Sequence, residues 1–359
     1  MQSALISILF PFLVAFIATV IFVPLSLIFI KKYKLIDDPG KRKHPAILHK
    51  KPVPRGGGIP LFLGCLLAGI IFLPLTQVTI AIFIASFISL VIGVLDDKFD
   101  ISPYIRFSTN ILCAAIVVFA GANISFITNP FGGILHLNKI SVPFLGSSVA
   151  YVFMFLIAIL WIVWVMNMLN WSKGVDGQMP GIVAISAFVI GILSLRFNAT
   201  DHNTVISTTL SFIIAGSALG FLLFNFYPAK IFPGYGATSL YLLLAVASIL
   251  SSAKLATAIL VMGIPMVDGL FTIIRRVASG KSPFWHDNKH LHHLLLKRHW
   301  GQRRIALFYW LISAMLGAIS LGLSSKGKLF AIIMLAIIVG GGILFLQITI
   351  KHNEDENGN

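Results

Sequence analysis

Long apolar runs, interrupted only by short polar segments, dominate the pattern of the chain. They are Ala4–Ile30, Ile59–Leu75, Val78–Leu95, Ile105–Gly121, Val149–Leu169, Gly181–Leu195, Val205–Phe226, Ala237–Leu250, Leu255–Ile274, Ile305–Leu323 and Leu329–Ile350. Most are near the roughly 20 residues that an α-helix needs to cross a bilayer. So many apolar runs in succession cannot share one soluble core. We therefore predict an all-α, polytopic integral membrane protein with about eleven transmembrane helices, or ten if one short run does not cross.

The runs follow one another without a soluble linker, which favours a single domain. We predict one transmembrane domain over residues 1–350 and a short polar cytoplasmic tail over residues 351–359. The composition agrees, because 57% of the 359 residues are hydrophobic and 11% are charged. A typical soluble domain carries about a quarter charged residues.

The distribution of Lys and Arg predicts the orientation. Alternate loops hold 22 of the 27 basic residues, and cytoplasmic loops are the ones enriched in Lys and Arg. The N-terminus is therefore expected outside and the C-terminus in the cytoplasm. The same rule explains most of the net charge of +15, so we predict no nucleic-acid partner.

Polar side chains collect on the predicted cytoplasmic side. The segment Gly93-Val-Leu-Asp-Asp-Lys-Phe-Asp100 places Asp96 and Asp97 at a helix end. Such a pair can bind Mg²⁺ through oxygen ligands or supply a general base. A solvated helix end accounts equally well for this segment taken alone.

Two further loops on that side are rich in glycine. The first carries Asn170, Lys173 and Asp176 between glycines that allow a ligand close to the backbone. The second, residues 232–239, opens a helix whose N–H groups could bind phosphate. Ordinary turns contain the same residue types, so neither loop is specific by itself.

The last large loop combines cations with histidines. Asp268 and Arg275 lie two turns apart on one predicted helix, and Pro265 predicts a kink in it. His290, His292 and His293 follow, and zinc is the less favoured reading because no cysteine assists them. Histidines that contact phosphate oxygens fit the basic surroundings better.

In this order, the motifs resemble those of the polyprenyl-phosphate N-acetylhexosamine-1-phosphate transferases, glycosyltransferase family 4. The matching segments are Asp38-Pro39, His49-Lys-Lys-Pro-Val-Pro-Arg-Gly-Gly-Gly58, Gly93–Asp97, Asn170 with Gly174-Val-Asp-Gly177, Pro265…Asp268 with Arg275, and His290-Leu-His-His293. The histidine run looks like the branch that uses UDP-N-acetylglucosamine-type donors.

The resemblance implies an enzyme of the inner (plasma) membrane with its active site on the cytoplasmic face. It would transfer a HexNAc-1-phosphate group, most simply GlcNAc-1-phosphate, from a UDP-sugar to undecaprenyl (polyprenyl) phosphate and release UMP. Asp96, Asp97 and Asp176 would be catalytic and would hold Mg²⁺, with Mn²⁺ as the alternative. The substrate-binding residues would be Asn170, Lys173, His290, His292, His293, Arg55, Lys51, Arg275 and Asp268, with Lys50 and Arg276 also placed to attract polyanions. A homodimer is left open.

Two departures from the family pattern bear on that function. Lys173 stands where the family's DGxDG has an Asp, and Tyr235 stands where FxGDxGS has one. If Lys173 neutralises substrate charge, it should lie with Tyr235 near Asp96, Asp97 and Asp176. The alternatives are a family member that binds nucleotide or lipid phosphate without turnover and, less favoured, a transporter.

Overall fold

The computed structural model describes residues 8–40, 51–140, 142–144, 147–149, 151–197, 201–250, 255–285 and 287–356. Thirteen α-helices cover most of these described ranges. They are α1 Phe10–Lys32, α2 Gly58–Phe72, α3 Gln77–Phe99, α4 Pro103–Phe119, α5 Val152–Trp171, α6 Gln178–Ser194, α7 His202–Asn225, α8 Thr238–Ile249, α9 Leu255–Val261, α10 Gly263–Ala278, α11 Leu291–Lys297, α12 Gln302–Gly322 and α13 Ser325–Glu356. The prediction of an all-α, polytopic membrane protein is confirmed.

The helices differ in their capacity to span a bilayer. Six are long and apolar enough, namely α1, α3, α5, α7, α12 and α13, and the bent pair α9–α10 makes a seventh candidate. The other predicted runs coincide with shorter apolar helices of 10–17 residues. Every predicted run therefore contains a helix, while the number of crossings and the orientation stay predictions.

The run Leu255–Ile274 is not one continuous helix. It is divided at Met262 into α9 and α10, whose axes differ by 85°. Pro265 explains the position of the break, because a proline ring clashes with the carbonyl group four residues earlier, here that of Val261. The expected kink is present, and it turns α10 toward the loop that carries the histidines.

Helix α8 lies at the centre of the bundle. Every one of its residues is buried, and it contacts α3, α5, α6 and α7. Because the helix is apolar all round, it needs protein neighbours on every side. The outer helix α13 is the opposite case, since only 11% of its apolar window is buried within the protein. Its exposed Ile, Phe and Leu side chains suit a lipid environment.

Strands are short and lie between the helices. Three two-stranded antiparallel sheets pair β1 Ile36–Asp37 with β2 Val53–Pro54, β3 Phe126–Thr128 with β4 Ile134–His136, and β5 Val142–Phe144 with β6 Ser147–Val149. Arg55 directly follows β2 and makes a parallel bridge to Phe232. This bridge brings the first polar loop against the glycine-rich loop.

Glycines allow the loop at residues 232–237 to pass close to two helices. A Cβ atom on Gly58 would lie 2.1 Å from the backbone of Gly236, and one on Gly93 would lie 2.3 Å from it. Only glycine avoids these clashes, since it has no Cβ. The loop is thereby held beside the end of α3, where Asp96 and Asp97 lie.

Candidate active site

A cavity of about 680 Å³ lies where the polar loops meet. Its walls come from the loop after β2, the end of α3 and start of α4, the α5–α6 loop, the loop at residues 232–235, and the segment from Arg276 to His293. The predicted site residues that line it are Arg55, Asn170, Lys173, Asp176, His290, His292 and His293. Segments far apart in sequence therefore contribute to one polar chamber.

Asp96 and Asp97, which were predicted to be catalytic, do not line the cavity. They lie behind Arg55 and Arg106, which do line it, and their side chains have no exposed surface. Arg106 of α4 donates to both oxygens of Asp96, at 3.1 and 3.3 Å. Arg55 lies 2.7 Å from Oδ1 of Asp97 through Nε and 3.9 Å from Asp96 through its terminal nitrogen. Buried carboxylates need such partners, because an unpaired buried charge is costly.

The two oxygens of Asp97 have different surroundings. Oδ1 forms the ion pair with Arg55 and accepts a hydrogen bond from the backbone N–H of Tyr235 at 2.8 Å. Oδ2 is buried and has no hydrogen-bond partner among the described residues. Within the described ranges, one carboxylate oxygen of the pair is thus buried without a partner, which is costly unless something else satisfies it.

Lys173 is held against the same carboxylates. Its Nζ donates to the carbonyl oxygen of Gly234 at 2.7 Å and lies 5.7 Å from the centre of the Tyr235 ring. Burial lowers the pKa of Lys173 to about 7; the charge of Arg55 adds to the shift, and Asp97 and Asp96 oppose it. An anionic ligand in the cavity would favour the charged ammonium.

The side chain of Tyr235 is held by contacts with α4. Its hydroxyl accepts a hydrogen bond from Asn110 at 3.1 Å, and Arg106 lies 5.1 Å from its ring centre. Lys173 and Tyr235 were expected near Asp96, Asp97 and Asp176, and the geometry agrees for Asp96 and Asp97. Asp176 is apart from them, on another wall of the cavity. Neither Lys173 nor Tyr235 faces lipid, since Tyr235 is 5% exposed and Lys173 lines the cavity.

Gly234 sets the distance between the glycine-rich loop and Asp97. Its φ of +66° and ψ of −174° lie in a region that is essentially restricted to glycine. A Cβ atom here would lie 2.0 Å from Oδ2 of Asp97. We expect Gly234→Ala to displace this carboxylate and lower turnover about 10²-fold, measured as initial rate.

A matched substitution separates this displacement from backbone strain. Gly133 also has a positive φ, +79°, but no heavy atom lies within 4 Å of the position of its Cβ. Gly133→Ala should therefore lower the melting temperature slightly and leave turnover unchanged. Equal losses of turnover in both variants would contradict the role given to Gly234.

Asp176 lies on another wall of the cavity. Its Oδ2 accepts from the backbone N–H of Ala229 at 3.0 Å, and its own N–H donates to Gln302 at 3.1 Å. The neighbouring Gly177 N–H donates to Asn225. These bonds fix the α5–α6 loop against α7 and α12, with the carboxylate at the cavity surface.

The three histidine rings lie next to one another in the cavity wall. The rings of His290 and His292 are parallel with centres 5.6 Å apart, and His292 is 4.2 Å from His293. Burial and the two neighbouring histidines lower the pKa of His292 well below its usual value, so its ring is neutral at pH 7. Gly174 packs against this ring, since its Cβ would lie 1.9 Å from Nε2.

Asp268 does not line the cavity but holds His290. Its Oδ2 is 2.9 Å from Nδ1 of His290, and its Oδ1 accepts from the N–H of Leu291 at 3.1 Å. The ring is thereby oriented with Nδ1 toward the carboxylate. Such an outer partner fixes the direction of the other ring nitrogen.

Asp287 fixes the loop before the histidines. Its Oδ2 accepts from Arg275 at 2.9 Å and from Arg276 at 3.0 Å. Burial acts to raise the pKa of Asp287, but the hydrogen bonds from Arg276 and the Lys289 N–H and the two arginine charges outweigh it and lower the pKa to about 2. Asp287 is therefore ionised throughout the physiological range. Arg275 acts on the loop, while Arg276 lines the cavity.

One of the two lysines expected to attract polyanions can be placed relative to the cavity. Lys51 is exposed and does not line the cavity. Lys50 lies outside the described residues. A role for Lys51 in long-range attraction stays a prediction.

Arg106 is the main site residue that sequence reasoning missed. It lies near the N-terminus of α4, where a cation opposes the helix dipole. A lone cation in this unfavourable position, ten residues after Asp96, was the available signal for a specific partner. Asn110, one turn further along α4, gave no comparable signal.

The predicted metal site of Asp96, Asp97 and Asp176 fits this arrangement poorly. Both oxygens of Asp96 accept from Arg106, and Asp176 binds a backbone N–H. Among the described residues, no three His, Cys, Asp or Glu side chains are grouped so that they could hold a metal ion. Only Oδ2 of Asp97 is an uncommitted oxygen in the carboxylate pair.

A multi-pass membrane protein with a cavity that is lined by cations and histidines, beside a pair of carboxylates, is suited to a phosphorylated ligand. The family model of glycosyl transferase family 4 matches residues 79–252. Over 359 aligned residues the chain is 30% identical to the probable undecaprenyl-phosphate N-acetylglucosaminyl 1-phosphate transferase of Bacillus subtilis (strain 168), covering 97% of this chain and 92% of that relative.

Two further relatives are similar to the chain over most of its length. The chain is 29% identical to the decaprenyl-phosphate N-acetylglucosaminephosphotransferase of Mycobacterium tuberculosis (strain H37Rv), over 86% of this chain and 81% of the relative. It is also 29% identical to the phospho-N-acetylmuramoyl-pentapeptide-transferase of Latilactobacillus sakei, over 87% and 97%. The chain therefore belongs to glycosyl transferase family 4, and its class of activity is phospho-sugar transfer.

Proposed function

We propose that this protein transfers a HexNAc-1-phosphate group, in the first instance GlcNAc-1-phosphate, from a UDP-sugar to undecaprenyl phosphate and releases UMP. The observation that carries the proposal is the convergence of Arg55, Lys173, Arg276 and the histidines on one cavity beside Asp97. Two of the relatives named above are N-acetylglucosamine phosphotransferases that act on polyprenyl phosphates.

The reaction joins two anions, which explains the excess of cations. An oxygen of the acceptor phosphate attacks the phosphorus atom bonded to the sugar. The bond from that phosphorus to the oxygen of the UMP phosphate breaks, and the electron pair leaves with UMP. Such a transfer depends mainly on positioning and charge neutralisation. A cavity of 680 Å³ also falls within the range typical of small-molecule sites.

The residues divide between the two substrates by their positions. Asp97, with its free Oδ2, is proposed to orient the acceptor phosphate or to remove its proton. His290 and His293 are proposed to contact the donor phosphates, with Asn170 and Asp176 toward the nucleotide. Oδ1 of Asn170 is buried without a hydrogen-bond partner in the described part of the chain, which suits a ligand donor group.

We propose a cytoplasmic active site in the plasma membrane. The cavity is formed by the loops that contain most of the Lys and Arg residues, and such loops stay in the cytoplasm. Nucleotide sugars are cytoplasmic metabolites, so this side gives the donor direct access. The long apolar tail of the acceptor would remain in the bilayer.

The test is UMP release by the full-length protein in lipid nanodiscs with undecaprenyl phosphate and UDP-GlcNAc. Parallel reactions contain UDP-GalNAc, UDP-glucose or UDP-MurNAc-pentapeptide, and the lipid product is identified by mass spectrometry. We expect UMP and a lipid-linked GlcNAc-diphosphate in equal amounts. If product forms only with another donor, the proposed sugar is wrong and the proposed reaction stands. If no donor gives product, the proposed reaction is wrong.

A further inference from the structure

We propose that Lys173, with Arg55 and Arg106, neutralises the substrate phosphates in place of a divalent cation bound at the Asp96–Asp97 pair. The inference rests on the proposed function, because it concerns how that site handles a diphosphate. It predicts a transferase whose activity does not depend on a bound divalent metal.

First, cations surround the carboxylate pair and balance its charge. Three carboxylates, those of Asp96, Asp97 and Asp37, face three cations: Arg55 at 2.7 Å from Asp97 and 4.0 Å from Asp37, Arg106 at 3.1 Å from Asp96, and Lys173. Salt bridges of this kind already satisfy the negative charge. A divalent cation at the Asp96–Asp97 pair would lie beside Arg55, Arg106 and Lys173, and in a low-dielectric wall its repulsion from these cations is strong.

The supply of free oxygen ligands is the second step. Mg²⁺ requires near-octahedral oxygen coordination, usually with one or two carboxylates. Asp96 is committed to Arg106 through both oxygens, and Oδ1 of Asp97 is committed to Arg55 and Tyr235. Oδ2 of Asp97 is the only uncommitted oxygen of the pair.

The position of Lys173 is the third step. Its ammonium donates a hydrogen bond to the carbonyl oxygen of Gly234. Gly234 itself packs directly against Oδ2 of Asp97. One donor of the ammonium is used by that carbonyl, so two remain for phosphate oxygens. Lys173 also lines the cavity, so these donors are within reach of a ligand.

Tyr235 packs against two of the three cations. Its hydroxyl is bound by Asn110 and its ring lies under Arg106 and Lys173. The aromatic face stabilises these two cations next to each other. Tyr235 therefore stabilises two cations at the position where the family pattern has an Asp.

Direct metal binding is the first measurement, because it does not require turnover. Mn²⁺ is titrated into the full-length protein and followed by electron paramagnetic resonance. We expect no stoichiometric site in the wild type, and a new site in the double variant Lys173→Asp/Tyr235→Asp, which gains two carboxylates. A wild-type site that disappears in Asp97→Asn would overturn the inference.

Activity in the presence of EDTA and of Mg²⁺ is the second measurement. We expect the wild-type rates in EDTA and in Mg²⁺ to agree within about threefold. The rate of Lys173→Met should be about 10²-fold lower than that of the wild type. Activity that requires Mg²⁺ would overturn the inference and leave the proposed function standing. Absence of UMP release under both conditions contradicts the proposed function instead, and the Mn²⁺ titration still decides on the metal.

A control variant accounts for general effects of charge reversal. Lys139→Asp makes the same change at an exposed lysine in a 3₁₀ turn distant from the cavity wall. It should neither gain a Mn²⁺ site nor change the rate. Melting temperatures of all variants show whether the double variant folds, and Lys173→Met provides the activity test if it does not.

Discussion

Asp97→Asn is expected to lower the rate of UMP release about 10³-fold, as is typical when an acid–base or orienting group is removed. The carboxylate is fully buried, and its Oδ2 is the one free oxygen of the pair. The Asn side chain has nearly the same shape but no negative charge and no basicity. It can still accept a hydrogen bond from the N–H of Tyr235.

The variant should fold, because Arg55 retains other partners. Its guanidinium lies 3.9 Å from Asp96 and 4.0 Å from Asp37 in addition to its contact with Asp97. The substitution therefore does not leave a buried cation unpaired. Loss of one negative charge next to an anionic ligand should leave the affinity for UDP unchanged or slightly higher.

The measurement is kcat in parallel with the dissociation constant for UDP. A large fall in kcat at constant affinity identifies a role in the chemical step. Weakened UDP binding with unchanged kcat would contradict the assignment. Asp201→Asn is the matched control, since Asp201 caps α7 through the N–H of Thr204 and Asn caps helices equally well.

Asp96→Asn provides an internal comparison within the pair. Both of its oxygens accept from Arg106, so it has no oxygen left for substrate. We expect a smaller loss of rate, about tenfold, together with a lower melting temperature because Arg106 loses its partner. The relative size of the two losses separates the chemical role of Asp97 from the structural role of Asp96.

The elements were predictable from the sequence because they depend on local patterns. A run such as Val78–Leu95 is apolar enough to require a helix, and α3 does cover it. Pro265 likewise marked the break between α9 and α10, because its effect is confined to one helical turn. The angle of 85° between α9 and α10 depends on packing and was not predictable.

The meeting of polar loops followed from membrane topology, whereas the pairing of side chains did not. Asn170, Lys173 and His290 were expected on one side, since alternate loops share a membrane face. The sequence could not indicate that Arg106 pairs with Asp96 or that Asp268 supports His290 from behind. Those contacts depend on how the helices are rotated about their axes and on the bend between α9 and α10. The hydrophobic pattern determines neither.

Asp268→Asn is expected to lower kcat/KM for the donor about 10²-fold by disturbing His290. Asp268 is buried and makes two contacts with the histidine segment, to Nδ1 of His290 and to the N–H of Leu291. If Asn keeps the bond to the N–H of Leu291 through its oxygen, its NH2 group faces Nδ1 of His290 and can no longer accept a hydrogen bond from it. If His290 binds donor phosphates, KM should rise more than kcat falls.

A double-mutant cycle with His290→Gln tests whether Asp268 acts through this ring. If it does, adding Asp268→Asn to His290→Gln should cost little beyond the single change, because coupled residues are non-additive. Fully additive losses would show that Asp268 contributes independently and would contradict its role as a positioning residue. His136→Gln, at an exposed histidine of β4, controls for the loss of an imidazole and should leave donor kinetics unchanged.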